Sequence, residues 1–332
     1  MKVSSVGDLG DCVYLLCILK QLPGGPHDLC LRASESTKAK GPEGVKRLYD
    51  AVAPLALRQS YIRSVTIIDQ DTPVDWRSED FRKRHYTKGE TLMRAHLNHL
   101  VATHGIGQGF TGRDPWLEVD PDPRSKGRIV VNRTGRYRND SFPWGGIVAY
   151  YRHRLLFVGL PHEWKEFCGH FGYVEHVPTN DMLDVARLVA GSDLFIGNQS
   201  CAYACAEGMK HNTIQETHLT FPDCIYLRPN AQFVADGNLL LPGNVRLVPV
   251  SPVVKDRRTV ETPPKSWQYP GYPPCPVFDL IVREVSKAEG LDKEDAANRV
   301  YMHNVERCPD FFRDHGKDRE MIRYRAAIEG NP

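Results

Sequence analysis

The sequence predicts an α/β fold with two Rossmann-like halves, and three observations support this prediction. Predicted strands and helices alternate along residues 1–250. A polar stretch rich in Asp, Pro and Gly, residues 120–127, divides the alternation into two sets. Residues 193–216 have the pattern of a strand, a tight polar turn, a helix of small residues and a second strand, an order typical of parallel sheets.

These observations predict domains over residues 1–122 and 123–250. Beyond them, residues 251–276 are rich in Pro and aromatic residues, and the sequence to the C terminus has helical periodicity with charged faces. We therefore expect residues 251–332 to form a connector and a small helical appendage.

The first half begins with a short strand over residues 1–5. An apolar helix follows it from Asp11 to about Leu22, where Pro23 and two glycines stop it. The other elements expected in this half are a strand at 28–31, a helix at 44–56, a strand at 64–68, a helix at 90–103 and a short strand at 116–119.

The second half repeats the same alternation. Short runs of apolar and β-branched residues predict its strands, and helices occupy most of the segments between them. The strands are expected at 128–131, 155–158, 173–177, 194–196, 213–215 and 224–227.

Composition narrows the class of protein. With 332 residues, 41% hydrophobic and 25% charged, the chain is an ordinary globular protein. No apolar run has membrane-spanning length and no signal peptide is indicated, so we expect a cytoplasmic protein. Nine cysteines without a CxxC pair fit a reducing compartment, and no Cys/His cluster has zinc-binding spacing. A net charge of +2 neither requires nor excludes a nucleic-acid or phosphorylated partner.

The turn after the strand at 194–196 is a candidate anion site. The strand stops at Gly197, and Asn198, Gln199 and Ser200 stand where a helix begins. The first N–H groups of a helix have no internal partner and carry the positive end of the helix dipole, so they stabilise a bound phosphate. Many α/β proteins contain the same pattern with no ligand, and that alternative stays open here.

A second candidate is the arginine-rich run that follows the strand at 128–131. Arg133 and Arg136 stand at a strand end, and guanidinium groups contact phosphate oxygens at two points. Alternatively, these arginines pair with Asp140 or other nearby carboxylates. Glu216, at the end of a later strand, is expected to accept hydrogen bonds from a ribose or a sugar diol.

Asp8 is the candidate acid of the first half, because it lies in the turn between the opening strand and the first helix. As an alternative, Asp8 or Asp11 simply caps that helix. The segment has no GxGxxG, and the chain has no GxxxxGK[ST], so a nicotinamide dehydrogenase and a P-loop enzyme are disfavoured. The histidines are dispersed, and their spacing does not support a Ser/His/Asp hydrolase.

A basic, aromatic stretch at residues 76–94 contains Arg82, Arg84 and Tyr86. If this stretch lies as a loop over the first half, its positive charge would attract an anionic acceptor. The alternative is a solvated loop, because several Asp and Glu residues offset its charge.

Two motifs carry a resemblance to a known family. Ser4 to Asp8 before an apolar helix, and Asp193 to Ser200 before an alanine-rich helix, resemble the heptosyltransferase-like glycosyltransferases, phage-type members included. The resemblance covers about residues 1–229. It implies the GT-B architecture, in which two Rossmann-like domains face each other across a cleft. Family members commonly have Asp-Thr/Ser-Gly at the second motif, where this chain has Asn198-Gln199-Ser200.

The resemblance also implies the chemistry. Asp8 would be the base of an inverting displacement, transferring a hexosyl or heptosyl group from a nucleotide sugar with no obligatory metal or other cofactor. The expected donor-binding residues are Arg133, Thr134, Arg136, Gly197, Asn198, Gln199, Ser200 and Glu216. The expected acceptor-binding residues are Asp11, Arg82, Arg84 and Tyr86.

The acceptor implied by the family is a lipopolysaccharide core or another surface glycan. The basic loop would equally suit DNA with hydroxymethylated bases, in which case the target base would be flipped out of the duplex. Two other function classes stay open: a GT-B-type sugar-nucleotide epimerase, and a sugar-nucleotide binding protein without catalysis.

Overall fold

The predicted α/β class is confirmed in a computed structural model of the protein, where helices pack on two sheets of mainly parallel strands. The prediction for residues 251–332 lies outside the described part of the chain, apart from two isolated positions. The domain division near residue 122 stays a prediction. The structure describes residues 1–33, 40–81, 90–218, 222–226, 228, 230–235, 238–240, 247–249, 290 and 292.

The first sheet has the strand order β3-β2-β1-β4, and every pair in it is parallel. The order reverses beside β1, so the carboxyl ends of β1 and β4 flank a crevice of the type that binds ligands in α/β proteins. Its strands are β1 (Lys2–Ser5), β2 (His27–Leu31), β3 (Ile62–Ile67) and β4 (Trp76–Arg77), and its helices are α1 (Leu9–Gln21), α2 (Gly41–Leu57) and α3 (Leu92–His104).

The strand predicted at 116–119 is wrong. This segment is extended but pairs with no strand among the described residues; instead the amides of Trp116 and Leu117 donate to the carbonyl of Gly208, at 2.8 and 3.1 Å. Its apolar residues, buried in the core, produced the strand pattern. Strand β4 was not predicted, because two residues are too short for a periodic pattern and only pairing with β1 defines them.

The second sheet has the order β12-β11-β10-β9-β8-β5-β6-β7. Its parallel part, β7-β6-β5-β8-β9-β10, has the 3-2-1-4-5-6 order of doubly wound folds, with a switch point between β5 and β8. The strands are β5 (Ile129–Asn132), β6 (Leu155–Phe157), β7 (Glu175–His176), β8 (Leu194–Asn198), β9 (Thr213–Glu216), β10 (Ala231–Ala235), β11 (Asn238–Leu240) and β12 (Leu247–Pro249). The helices are α4 (Trp144–Tyr151), α5 (Pro161–Phe171), α6 (Met182–Gly191) and α7 (Cys201–Gly208).

The strand predicted at 224–227 is also wrong. Pro222–Cys224 forms a turn of 3-10 helix, and the next strand begins at Ala231. The described apolar residues of this segment, at 224–226, pack into or against the core instead of pairing, and the ring centroid of Tyr226 lies 5.0 Å from that of Tyr14.

The two halves share one hydrophobic core, because α1 packs on α7 and α2 packs on α6. The small residues of α7 allow this close approach. A Cβ atom at Gly208 would lie 2.6 Å from a methyl carbon of Leu117, closer than real Cβ contacts. The apolar run of α1 is accordingly buried from Cys12 to Leu19. This packing brings the N-termini of α1 and α7 to the same junction.

The stability of the first half should depend on Asp28 at acid pH. The Asp28 carboxylate accepts hydrogen bonds from Arg63 (Nε, 2.9 Å) and Ser64 (2.6 Å), which lower its pKa from 3.8 to about 2. A lowered pKa stabilises the folded state above pH 3.8, and this contribution is lost as the pH falls to 2. We expect the free energy of unfolding to fall more steeply over that range in the wild type than in Asp28→Asn, as urea titrations would measure. Equal slopes would contradict the assignment.

Candidate functional site

The candidate site lies where the loop after β1 meets the loop after β5, residues 133–143. The first loop leaves one switch-point strand and the second loop leaves the other, so each is at the ligand-binding edge of its sheet. One contact joins them: Arg136 Nη1 lies 3.5 Å from Asp8 Oδ2.

Asp8 stands at the N-cap of α1 with a side chain that is 32% exposed. Its Oδ1 atom is buried and has no hydrogen-bond partner among the described residues. A buried carboxylate oxygen without a partner is costly, so a ligand proton would stabilise it. Asp8 therefore has the geometry of a proton acceptor.

Asp11 shapes the turn that presents Asp8. Its Oδ2 accepts the Asp8 backbone N–H at 3.2 Å, and the residue is buried. A Cβ atom at Gly7 would lie 2.5 Å from the Asp11 Cβ, so only glycine fits there. The side chain of Asp11 thus supports the turn from within, and its acceptor contact stays a prediction.

Glu216 has an internal role in the structure, and its expected ribose contact stays a prediction. Its carboxylate is fully buried at the end of β9 and accepts bonds from Arg133 Nε (2.9 Å) and Nη2 (2.8 Å), Asn139 N (2.8 Å) and Trp144 Nε1 (2.8 Å). Arg133 is buried with it and stacks near the ring of Phe171. The alternative interpretation of Arg133, pairing with a carboxylate, therefore describes the observed geometry.

Asn198 has a similar internal role. Its fully buried side chain accepts the amide of Thr134 at 3.1 Å and donates to the carbonyls of Thr134 and Arg136, at 3.2 and 2.5 Å. Side chains at the ends of β8 and β9 thus hold the 133–143 loop in place. Asn198 and Glu216 therefore support that loop, and their donor contacts stay predictions.

The polar turn before α7 is also satisfied from within. Ser200 caps α7 by accepting from Tyr203 N at 3.3 Å, and its hydroxyl donates to Asn132 at 2.8 Å. The buried Gln199 side chain accepts from the backbone of His218. At Gly197 a Cβ atom would lie 2.7 Å from the Asn132 carbonyl oxygen, so glycine is required. The predicted anion contact at this turn is therefore a prediction for its backbone groups, since these side chains have partners within the protein.

The arginines of the 133–143 loop differ in exposure. The side chain of Arg133 is 8% exposed, that of Arg138 is 24% exposed and that of Arg136 is 53% exposed. Arg138 is paired with Glu166 and lowers the pKa of that carboxyl. Arg136 is therefore the arginine of this run that can reach an anion in the junction.

Glu79 is a residue of this region that sequence reasoning missed. It follows β4, and Ser4 Oγ lies 2.9 Å from both of its carboxylate oxygens. Burial raises its pKa. Its place at the first switch point depends on the pairing of the two-residue strand β4 with β1, which no sequence pattern indicated.

The described residues include only part of the predicted acceptor site. Arg82, Arg84 and Tyr86 lie outside them, so the predicted acceptor loop stays a prediction. No cluster of three or more His, Cys, Asp or Glu residues in the described part of the chain is placed to hold a metal ion. None of its helices has the length and apolar character needed to cross a bilayer. A surface cavity of about 490 Å³ lies beside α2 and the end of β3.

Comparisons with known proteins complete the description. No protein-family model matches the chain, and no curated protein sequence matches it. The solved structure of a family 9 glycosyl transferase from Veillonella parvula is similar, with 11% identity over 70% of this chain and 85% of that one and a TM-score of 0.47.

Two Escherichia coli structures are also similar. Heptosyltransferase WaaC with ADP-2-deoxy-2-fluoro heptose has 16% identity over 70% of this chain and 93% of that one, with a TM-score of 0.42. ADP-heptose LPS heptosyltransferase II has 11% identity over 70% and 90% of the two chains, with a TM-score of 0.42.

Proposed function

We propose that the protein is a glycosyltransferase that moves a sugar from a nucleotide-sugar donor to an acceptor hydroxyl. The contact between Asp8 and Arg136 is the observation that supports this most directly. In this contact the carboxylate of Asp8, one of whose oxygens has no partner among the described residues, meets the half-exposed guanidinium of Arg136. The contact lies at the ligand-binding edges of the two sheets. A base beside a phosphate-binding cation suits displacement at a carbon that bears a phosphate leaving group.

In the proposed reaction, the Asp8 carboxylate accepts the proton of the acceptor hydroxyl while the hydroxyl oxygen attacks the anomeric carbon. The bond from that carbon to the diphosphate oxygen breaks, its electrons leave with the nucleoside diphosphate, and the configuration inverts. The leaving group lies on the face opposite the base, so Arg136 would move from Asp8 to the diphosphate when the donor binds. The exposure of its side chain allows this movement.

Backbone groups at the start of α7 would add to the stabilisation of the diphosphate, since a helix N-terminus favours negative charge. In this arrangement Arg136 takes the role that the sequence suggested for Arg133. Asn198, Glu216 and Thr134 would contribute by holding the loop that carries Arg136. The reaction as proposed needs neither a metal ion nor another cofactor.

The acceptor is proposed to bind the first half, near Asp8. A surface glycan and a hydroxymethylated base in DNA both provide the required hydroxyl. Duplex DNA affinity that falls steeply with salt would favour the DNA acceptor, and no affinity at low salt would exclude it. Acceptor-dependent release of nucleotide would separate the transferase from the epimerase and from the non-catalytic binding protein.

The donor class can be tested with a panel of nucleotides. We expect one of UDP, ADP, GDP, CMP or dTDP to raise the thermal unfolding midpoint of the purified chain by several degrees. At about 100 times its dissociation constant a ligand adds about 2.7 kcal/mol to the stability of the folded state. Arg136→Ala should reduce the shift, whereas Arg154→Ala, which removes an arginine paired with Asp193 away from the site, should not. No shift with any nucleotide would contradict the proposal.

A further inference from the structure

Tyr137, next to Arg136, has an unusual backbone conformation. Its φ angle is 55°, in the left-handed region that bulky residues rarely adopt. Lys210 is the other non-glycine residue with positive φ in the described part of the chain. Left-handed backbone is unfavourable for an L-residue, and such strain persists where the surrounding structure holds it.

The residues on both sides of Tyr137 are held by side chains from the strand ends. Asn198 donates to the carbonyl of Arg136 at 2.5 Å, and Glu216 accepts the amide of Asn139 at 2.8 Å. Arg138 Nε donates to the Thr134 carbonyl at 2.9 Å. These bonds leave the chain between them little choice of conformation. The direction in which the Tyr137 side chain leaves the backbone is therefore set by the fold.

That direction brings the ring to the reaction centre. The Arg136 guanidinium carbon lies 5.2 Å from the ring centroid, and Arg136 contacts Asp8. Burial raises the pKa of the Tyr137 phenol, the Arg136 charge lowers it, and the carboxylates of Asp223 and Asp8 raise it further. The ring thus lies within electrostatic range of both groups that act in the proposed reaction.

We propose that Tyr137 determines donor-sugar specificity by packing its ring against the sugar that is transferred. The inference rests on the proposed function, because the transferred sugar is the part of the donor that must lie within reach of both Asp8 and Arg136. An aromatic ring offers a flat apolar surface to the C–H face of a sugar and excludes water from the reacting carbon. This role would explain the left-handed backbone at Tyr137, because that conformation directs the ring toward the sugar.

The test compares binding of the nucleoside diphosphate that the panel identifies with binding of its sugar conjugates, such as ADP-heptose, UDP-glucose or GDP-mannose. Tyr137→Asn removes the ring and keeps a residue that tolerates left-handed backbone. We expect it to bind the nucleoside diphosphate like the wild type but the nucleotide sugar about tenfold more weakly, as befits the loss of one aromatic contact. Tyr137→Phe should retain both affinities.

Lys210→Asn is the matched control, because it places asparagine at the other position with left-handed backbone, after α7. This variant should leave both affinities unchanged. Thermal unfolding checks that each variant is folded. Tyr137→Leu, which loses the flat ring but keeps the backbone strain, provides the same comparison if the Asn variant does not fold.

Equal nucleotide-sugar affinity in Tyr137→Asn and the wild type would overturn the inference. An equal loss of affinity for the nucleoside diphosphate and for its sugar conjugates would also overturn it, because the ring would then contact the nucleotide or only support the loop. Both results leave the proposed function standing. A wild-type protein that binds no nucleotide and no nucleotide sugar would overturn the proposed function, and this inference with it.

Discussion

Asp8→Asn is expected to abolish sugar transfer while nucleotide binding remains. The amide occupies the same space at the N-cap position of α1, where asparagine is as favoured as aspartate, but it cannot accept a proton from the acceptor hydroxyl. Loss of a general base lowers the rate by about 10²- to 10⁴-fold. The measurement is acceptor-dependent release of nucleoside diphosphate, with nucleotide affinity determined on the same preparation.

Asp181→Asn is the control for this variant. Asp181 is also an N-cap residue, on α6, where it accepts from two backbone amides. Both variants should melt close to the wild type, because asparagine and aspartate are similarly good caps. A normal transfer rate in Asp8→Asn would exclude Asp8 as the base. A parallel loss of transfer, nucleotide binding and stability would assign it a folding role instead.

Glu216→Gln is expected to destabilise the second half strongly and to weaken nucleotide binding. Removing one partner of a buried ion pair leaves an uncompensated charge, here on Arg133, at a cost of about 3–5 kcal/mol. The Glu216 carboxylate also holds the amide of Asn139 and the indole of Trp144. The loop that carries Arg136 would therefore lose its support from β9.

The matched control is Glu166→Gln, which breaks another Arg–Glu pair of the same loop, with Arg138. That pair is partly exposed, so its loss should cost less than about 1 kcal/mol. Urea unfolding measures both variants, and nucleotide affinity is measured where each is folded. Similar destabilisation by the two substitutions would contradict the claim that burial sets the importance of Glu216.

The local elements of the fold were largely predictable. Helix α1 was recognisable from an apolar run between Asp8 and Pro23, and the β8–α7 unit from an apolar strand, Gly197 and small residues after it. The two wrong strands, at 116–119 and 224–227, have a common cause. Apolar residues in both segments pack into the shared core without pairing, and an apolar run does not distinguish these outcomes.

The sequence by itself determined the α/β alternation, the polar turn before α7 and the position of Asp8 at a strand end. Each of these depends on residues within a few positions of one another, through side-chain period, capping and turn chemistry. Tertiary structure alone decided that Arg136, and not Arg133, faces Asp8, and that Glu216 lies inside. Those outcomes depend on strand order and on the packing of α1 against α7, which bring together Arg133 and Glu216, 83 positions apart, and Asp8 and Arg136, 128 positions apart. Local sequence patterns carry no information about such distances.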